Sequence, residues 1–303
     1  MVEVAGAANM TIGMVGLGKM GGHMAERLRA AGHKVEGYVR SAGTGRTVSS
    51  LSELVAVLPT PRVVWVMVPA GAATDDVIDQ LGDLLSAGDI VVDGGNSHYL
   101  DDARHAEQLK ARGISFVDAG TSGGVWGGQY GYALMVGGDE ADITTLMPIF
   151  SALKPEGPHG FVHAGSVGAG HFAKMVHNGI EYGMMQAMGE GYAVLKASPL
   201  IKDQDAVAAS WRSGSVVRSW LLDLLCNAVA DDPGLASFLP QSAESGEAKW
   251  TVQAALGLGV PVPVIATSLY ARQTSQGGGD DAMRVVSALR NQFGGHQAGH
   301  ESG

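Results

Sequence analysis

The chain holds a single cysteine, Cys226, among 303 residues, so no disulfide can form within it. Its setting, "SWLLDLLCNAVA", reads as core helix rather than as a reactive thiol. Charged residues make up only 17% of the sequence, the formal net charge is −10, and no Lys/Arg cluster stands out. A general basic surface is thereby excluded, and nucleic acid is not an expected partner. No segment approaches ~18 uninterrupted apolar residues, so no membrane span is expected. The opening "MVEVAGAANM" has neither a positive n-region nor a long apolar stretch, so no export leader is expected and cytoplasmic location is the expectation. His23, His33, His98, His105, His159, His163, His171 and His300 lack metal-ligand spacing with Cys or carboxylates, and no metal is expected.

What the sequence does have is glycine, 45 residues of it, in a chain that is 46% hydrophobic. That length and apolar content suffice for two domains with sizeable cores. Glycine at this density without a period of three points to tight loops and close backbone approaches, as in an α/β protein.

From Thr11, "TIGMVGLGKMGGHMAERLRAAGHKVEGYVR" reads as strand, glycine turn, amphipathic helix and second strand, a βαβ unit. "RVVWVMVP" and "DIVVDGGN" are apolar runs typical of strands buried on both faces, and "ISFVDAGTSGG" contains another strand. The helix-like stretches "ATDDVIDQLGDLL" and "LDDARHAEQLKARG" lie between them. The expected fold is therefore α/β: a Rossmann-like, doubly wound N-terminal domain over 1–165, with 1–10 as an extension. After "EGPHGFVHAGSVGAG" the alternation gives way to helical spacing, notably over 170–196 and 205–230. An all-α C-terminal domain over 166–303 is expected, ending in a glycine-rich tail.

The turn Gly16-Leu17-Gly18-Lys19-Met20-Gly21 follows a strand and opens a helix, the context a dinucleotide fingerprint requires. The first glycine allows the turn, the second lets backbone approach a pyrophosphate, and the third lets helix pack on strand. At the end of the second strand an acidic side chain would hold a ribose 2′-hydroxyl, whereas an arginine accepts a 2′-phosphate. Here Val39, Arg40 and Ser41 occupy that place and Glu36 lies too early, so NADP is favoured over NAD.

In "GHFAKMVHNGIEYG", Lys174, His177, Asn178 and Glu181 fall at i, i+3, i+4 and i+7 and share one helix face. A Lys–Glu pair on a solvated stripe is the plain alternative. The apolar, glycine-rich flanks and the added amide and imidazole favour a site, in which a partly desolvated lysine can act as general base.

Together, "GLGKMG", "VDGGNS", "DAGTSGGVWGGQYG", "GAGHFAKMVHNGIEYG", "EAKWT", "GVPVPVIATSLYAR" and "RNQFGGH" resemble the 6-phosphogluconate dehydrogenases, in a short-chain form, within the β-hydroxyacid dehydrogenase superfamily. The resemblance runs from Thr11 to His296. It implies oxidation of 6-phospho-D-gluconate by NADP or NAD, loss of C1 as carbon dioxide, and release of ribulose 5-phosphate. It makes Lys174 the base and Glu181 the acid. Asn96, Ser122, Gly123, Gly124, His177 and Asn178 would bind the carboxylate and hydroxyls. Tyr182, Arg272, Arg290 and His296 would hold the phosphate, the last two reaching over from a second subunit of a homo-oligomer, dimer or tetramer. Gly16, Leu17, Gly18, Lys19, Met20, Arg40, Ser41, Val68, Pro69, Ala70 and Asn96 would contact the cofactor.

The sequence departs from the pattern twice. Ser245 stands where long-chain members carry a phosphate-contacting lysine before the tryptophan, and Val39 stands where NAD-preferring short forms carry aspartate. Two other readings stay open: a non-decarboxylating dehydrogenase of 3-hydroxyisobutyrate type, and a non-catalytic NADP-sensing protein.

Overall fold

The computed structural model describes residues 9–41, 45–276 and 281–294. It divides into two compact units, Met1–Lys174 and Met175–Gly303. The first unit runs β1 (Thr11–Val15), α1 (Lys19–Ala30), β2 (Lys34–Tyr38), α2 (Leu51–Val57), β3 (Val63–Val66), α3 (Ala72–Leu84) and β4 (Ile90–Asp93). It continues through α4 (Tyr99–Lys110), β5 (Ser115–Ser122), α5 (Gly127–Tyr130), β6 (Ala133–Gly137), α6 (Glu140–Leu153) and β7 (Phe161–Gly165). Then α7 (Ala169–Ala197) opens in this unit and continues into the second.

The seven strands form one sheet in the order β2-β1-β3-β4-β5-β6-β7. Period-two alternation explains why helices cover both faces. Val63 and Trp65 of β3 join a core with Met24 and Leu28 of α1 and Ile149 of α6. Their neighbours Val64 and Val66 join a second core with Leu54 of α2, Ile78 of α3 and Leu109 of α4. Both β3 and β4 are buried throughout, as their unbroken apolar runs require.

The sheet is not wholly parallel: β5 and β6 pair antiparallel. The connection between them, 123–132, is shorter than the dozen or so residues that a parallel crossover needs.

The unit division falls inside α7 rather than at its start, because the sheet holds the helix's first turns. The Asp118 carboxylate of β5 accepts from Gly168 N–H (2.7 Å) and His171 N–H (2.8 Å), satisfying donors at the start of the helix. A side chain at Gly170 would overlap the Met135 carbonyl, so only glycine permits this approach.

The second unit holds the rest of α7 with α8 (Gln204–Ser210), α9 (Trp220–Asp231), α10 (Glu247–Leu258), α11 (Pro263–Ser275) and α12 (Asp281–Gly294). The run 205–230, expected to be helical throughout, is broken between α8 and α9. Gly214 takes a left-handed φ of 73°, and the Ser219 hydroxyl accepts from Leu222 N–H to start α9 afresh. Met185 and Tyr192 of α7 pack with Leu225 and Val229 of α9 and Met283, Val286 and Leu289 of α12. Among the described residues no helix is long and apolar enough to cross a membrane.

Candidate active site

Strands β1 to β5 are mutually parallel, so their carboxyl ends share one edge of the sheet. The strand order reverses between β1 and β3, and that switch point is where open α/β sheets bind ligands. The glycine turn follows β1. Gly16 has φ 94°, and a side chain there would overlap the Met67 carbonyl; one at Gly21 would overlap the Gly16 carbonyl. Gly18, by contrast, has open space where a Cβ would stand and caps α1 without a side-chain bond. A backbone turn this open at the start of a helix fits the close approach of a dinucleotide pyrophosphate. Leu17, Gly18 and Lys19 line a cavity of about 290 Å³ with Gly22, His23 and Arg29. Met20 packs partly buried against the first core.

Arg40 and Ser41 stand exposed just past β2. Glu36 is already engaged: it accepts from the Thr47 hydroxyl at 2.7 Å and pairs with Lys34 at 2.9 Å. Val68, Pro69 and Ala70 follow β3 on the same edge, with Val68 half-buried and the other two exposed.

Past β4, the Asp93 carboxylate shapes the turn that carries Asn96. It accepts from Gly95 N–H at 2.9 Å and from the Ser97 hydroxyl at 2.6 Å. A side chain at Gly94 would collide with the Trp65 indole, so the turn hugs β3. The Asn96 Oδ1 held in this way accepts a hydrogen bond from Lys174 Nζ. Gly120 of β5 makes that meeting possible, since a Cβ there would strike Gly170 O and the Lys174 stem. Ser122 ends β5, with Gly123 (φ 134°) and Gly124 (φ 53°) forming the turn after it.

Beneath Lys174, His171 Nδ1 lies 2.9 Å from both Asp102 carboxylate oxygens, with both side chains buried. Burial alone would lower the histidine pKa, but the bond and charge of Asp102 outweigh it and raise His171 to about 9. Asp93, Asp102 and His171 also bring ligand-type atoms within 4.8 Å of one another, a grouping that sequence spacing does not reveal.

In the second unit a polar chain runs from α7 to α10. His177 Nδ1 lies 3.0 Å from Asn178 Oδ1 and 4.0 Å from Glu181 Oε2. Asn178 Nδ2 donates to Glu247 Oε1 (2.8 Å), and the Ser245 hydroxyl donates to Glu247 Oε2 (2.7 Å). Ser245 N–H donates to the Tyr182 hydroxyl at 3.2 Å. The Arg272 guanidinium stacks on Tyr182, Cζ 3.3 Å from the ring centroid. Arg272 is 2% exposed and forms no ion pair among the described residues. Its pKa is lowered to about 10, chiefly by burial, with the charge of Arg290 acting in the same direction and Tyr182, Glu181 and Glu247 opposing.

Arg290 donates to the Ser242 hydroxyl of its own chain at 3.4 Å. The family resemblance implies that it acts in a neighbouring subunit's site. Asn178, Tyr182, Arg272 and Arg290 are thus gathered in one unit, whereas His296 lies outside the described residues. Sequence reasoning passed over Glu247, although it stands in the quoted "EAKWT" beside the departure at Ser245.

Residues 11–156 match the family model described as the NAD binding domain of 6-phosphogluconate dehydrogenase, and 170–293 match the 6-phosphogluconate dehydrogenase C-terminal domain. The chain belongs to the 6-phosphogluconate dehydrogenase family. A Bacillus subtilis relative of that family, YqeC, provisionally named a 6-phosphogluconate dehydrogenase, is 44% identical over 95% of this chain and 98% of its own. A Haloferax volcanii relative named as an NAD(+)-dependent, decarboxylating 6-phosphogluconate dehydrogenase is 40% identical over the same shares of both chains. The solved Plasmodium falciparum 6-phosphogluconate dehydrogenase, described in apo form and with NADP+ and 6-phosphogluconate, matches with TM-score 0.80 at 27% identity. That match covers 93% of this chain and 63% of the other, so the chain spans less than two thirds of that protein's length. A Mycobacterium tuberculosis 3-hydroxyisobutyrate dehydrogenase shares the fold, with TM-score 0.73 at 22% identity over 93% of this chain and all of its own. The resemblance carried by the seven motifs is thus the family relationship itself, and the first unit is the nicotinamide dinucleotide domain of that family.

Proposed function

We propose that the chain oxidises 6-phospho-D-gluconate with NADP+ in preference to NAD+, releasing carbon dioxide and ribulose 5-phosphate. The observation that carries the substrate is Arg272: a buried guanidinium stacked on Tyr182, with no carboxylate partner among the described residues, calls for an external anion. A small unphosphorylated hydroxy acid has no second anionic end to offer it.

The bound dinucleotide, cradled by Gly16 to Met20, supplies the hydride acceptor. Lys174, aligned by Asn96, takes the proton of the C3 hydroxyl as that carbon is oxidised. The product of that step is a β-keto acid, which loses C1 readily once its developing enolate is met by hydrogen-bond donors. Asn96, Ser122 and the backbone of Gly123 and Gly124 hold the carboxylate end, and His177 and Asn178 hold the hydroxyls. Glu181 returns a proton to the enediol carbon left by that loss, C2 of the substrate and C1 of ribulose 5-phosphate. Tyr182, Arg272, Arg290 and His296 bind the phosphate. The NADP preference rests on Arg40 at the end of β2 and on the prior engagement of Glu36.

The test follows reduced-nicotinamide absorbance and carbon dioxide together, with 6-phosphogluconate and each cofactor. Equal yields of both products are expected. Reduction without carbon dioxide, or turnover only of 3-hydroxyisobutyrate, would overturn the proposal.

A further inference from the structure

Glu247 opens α10 and is 4% exposed, yet no role in the reaction just described requires it. A buried carboxylate is costly to keep unless each oxygen has a donor, and here each has one: Asn178 Nδ2 on Oε1 and the Ser245 hydroxyl on Oε2. An ionised carboxylate only accepts hydrogen bonds. Asn178 must therefore turn its NH2 towards Glu247, and its carbonyl oxygen is left facing His177 Nδ1 at 3.0 Å. That oxygen also only accepts, so the ring nitrogen opposite it must carry the proton. The Glu181 carboxylate, 4.0 Å from Nδ1, is an acceptor too and acts in the same direction.

We propose that Glu247 is a positioning residue: through Asn178 it fixes neutral His177 as the Nδ1–H tautomer, which leaves Nε2 as the ring's acceptor for a substrate hydroxyl. A glutamine at 247 removes the constraint. Its amide can donate as well as accept, so Asn178 can flip and present its NH2 to His177, and the ring proton then moves to Nε2. The tautomer assignment stands on the contacts within the second unit. Only its consequence for turnover rests on the proposed function.

The experiment records long-range 1H–15N correlations of the histidine rings in the full-length, ligand-free protein, at a pH where His177 is neutral. Its signal is assigned by its loss in His177→Asn. The wild type is expected to show the Nδ1–H pattern, and Glu247→Gln a large Nε2–H population. A wild-type ring in the Nε2–H form overturns the proposal, as does an Nδ1–H ring that persists in Glu247→Gln. The second arm compares rates: Glu247→Gln should raise KM for 6-phosphogluconate and lower kcat/KM by about tenfold, the scale of one hydrogen bond, with KM for the cofactor unchanged. If the tautomer shifts while kcat/KM holds, the positioning stands and the assignment of His177 to substrate binding fails. If the wild type turns over no sugar acid, the proposed function fails and the spectra still decide the role of Glu247.

Discussion

Two side chains bear most of the chemical argument, and each can be removed without a large change of volume. Lys174→Met keeps the hydrocarbon stem and deletes the amine that donates to Asn96. If Lys174 is the base, turnover should fall by roughly 10²–10⁴-fold, while dinucleotide affinity, measured by calorimetry, stays within a factor of about two. A loss of dinucleotide affinity of the same size would show that the lysine serves binding rather than proton transfer. Arg272 separates stability from function. Burial disfavours its charge and no carboxylate among the described residues compensates it, so Arg272→Met should leave the melting temperature equal to or above that of the wild type. The same change should cost about a hundredfold in kcat/KM for the phosphorylated substrate, the loss of a bidentate charged contact. A sharp drop in melting temperature would mean that the stack on Tyr182 is structural. Arg40→Ala tests the cofactor: the NADP/NAD ratio of kcat/KM should fall by about tenfold, mainly through NADP, because an exposed arginine serves the 2′-phosphate alone.

At the scale of elements, α7 is fastened to the sheet by carboxylates. Asp118 holds its opening N–H groups, and Asp102 holds His171 one turn before Lys174. Because the folded protein raises the His171 pKa above its ordinary 6.5 to about 9, the proton is bound more tightly in the native state than in the unfolded chain. The stabilisation is therefore fully present below pH 6.5 and is lost as pH rises through about 9, and the Asp102 carboxyl, pushed up to about 7 by burial, titrates with it in the same direction. Melting temperatures recorded between pH 6 and 9.5 should fall more steeply for the wild type than for His171→Gln, and parallel curves would contradict this account. None of this anchoring is legible in the sequence, because Asp118 and Asp102 lie 53 and 69 positions from His171 with no periodicity to link them. What could be read were features with local causes: the unbroken apolar runs of β3 and β4, the glycine turn after β1, and the helical spacing that gives Lys174, His177, Asn178 and Glu181 one face. The break between α8 and α9 was hidden by apolar residues on both sides of it. The antiparallel β5–β6 pairing was hidden because its cause is the length of a connection. Glu247 was in view within "EAKWT", but its partner Asn178 is 69 positions away.

For the whole molecule, the question is which chain supplies Arg290 to the proposed phosphate site. The family resemblance implies a homo-oligomer in which Arg290 and His296 act in a neighbour. The structure places Arg290 beside Ser242 of its own chain, close enough for its charge to lower the pKa of Arg272. Ser242 in turn donates its N–H to the Ser275 hydroxyl, and Ser275 lies one turn after Arg272 on α11 and donates to the Arg272 carbonyl. This continuous set of contacts within one chain ties α12 to α11, and the two arrangements, Arg290 serving its own chain or its neighbour, are separated by complementation. Arg272→Ala and Arg290→Ala chains, each nearly inactive, can be co-expressed and purified together through two different tags. If Arg290 serves its own chain, every site in the mixed assembly lacks one arginine, and activity should not exceed the average of the two parents. If it serves the neighbour, a mixed dimer contains one intact site in two, and about half the activity of the wild-type dimer should return in the doubly tagged fraction. Restored activity would move Arg290 to the partner's site, and the contact with Ser242 would then belong to the isolated chain alone.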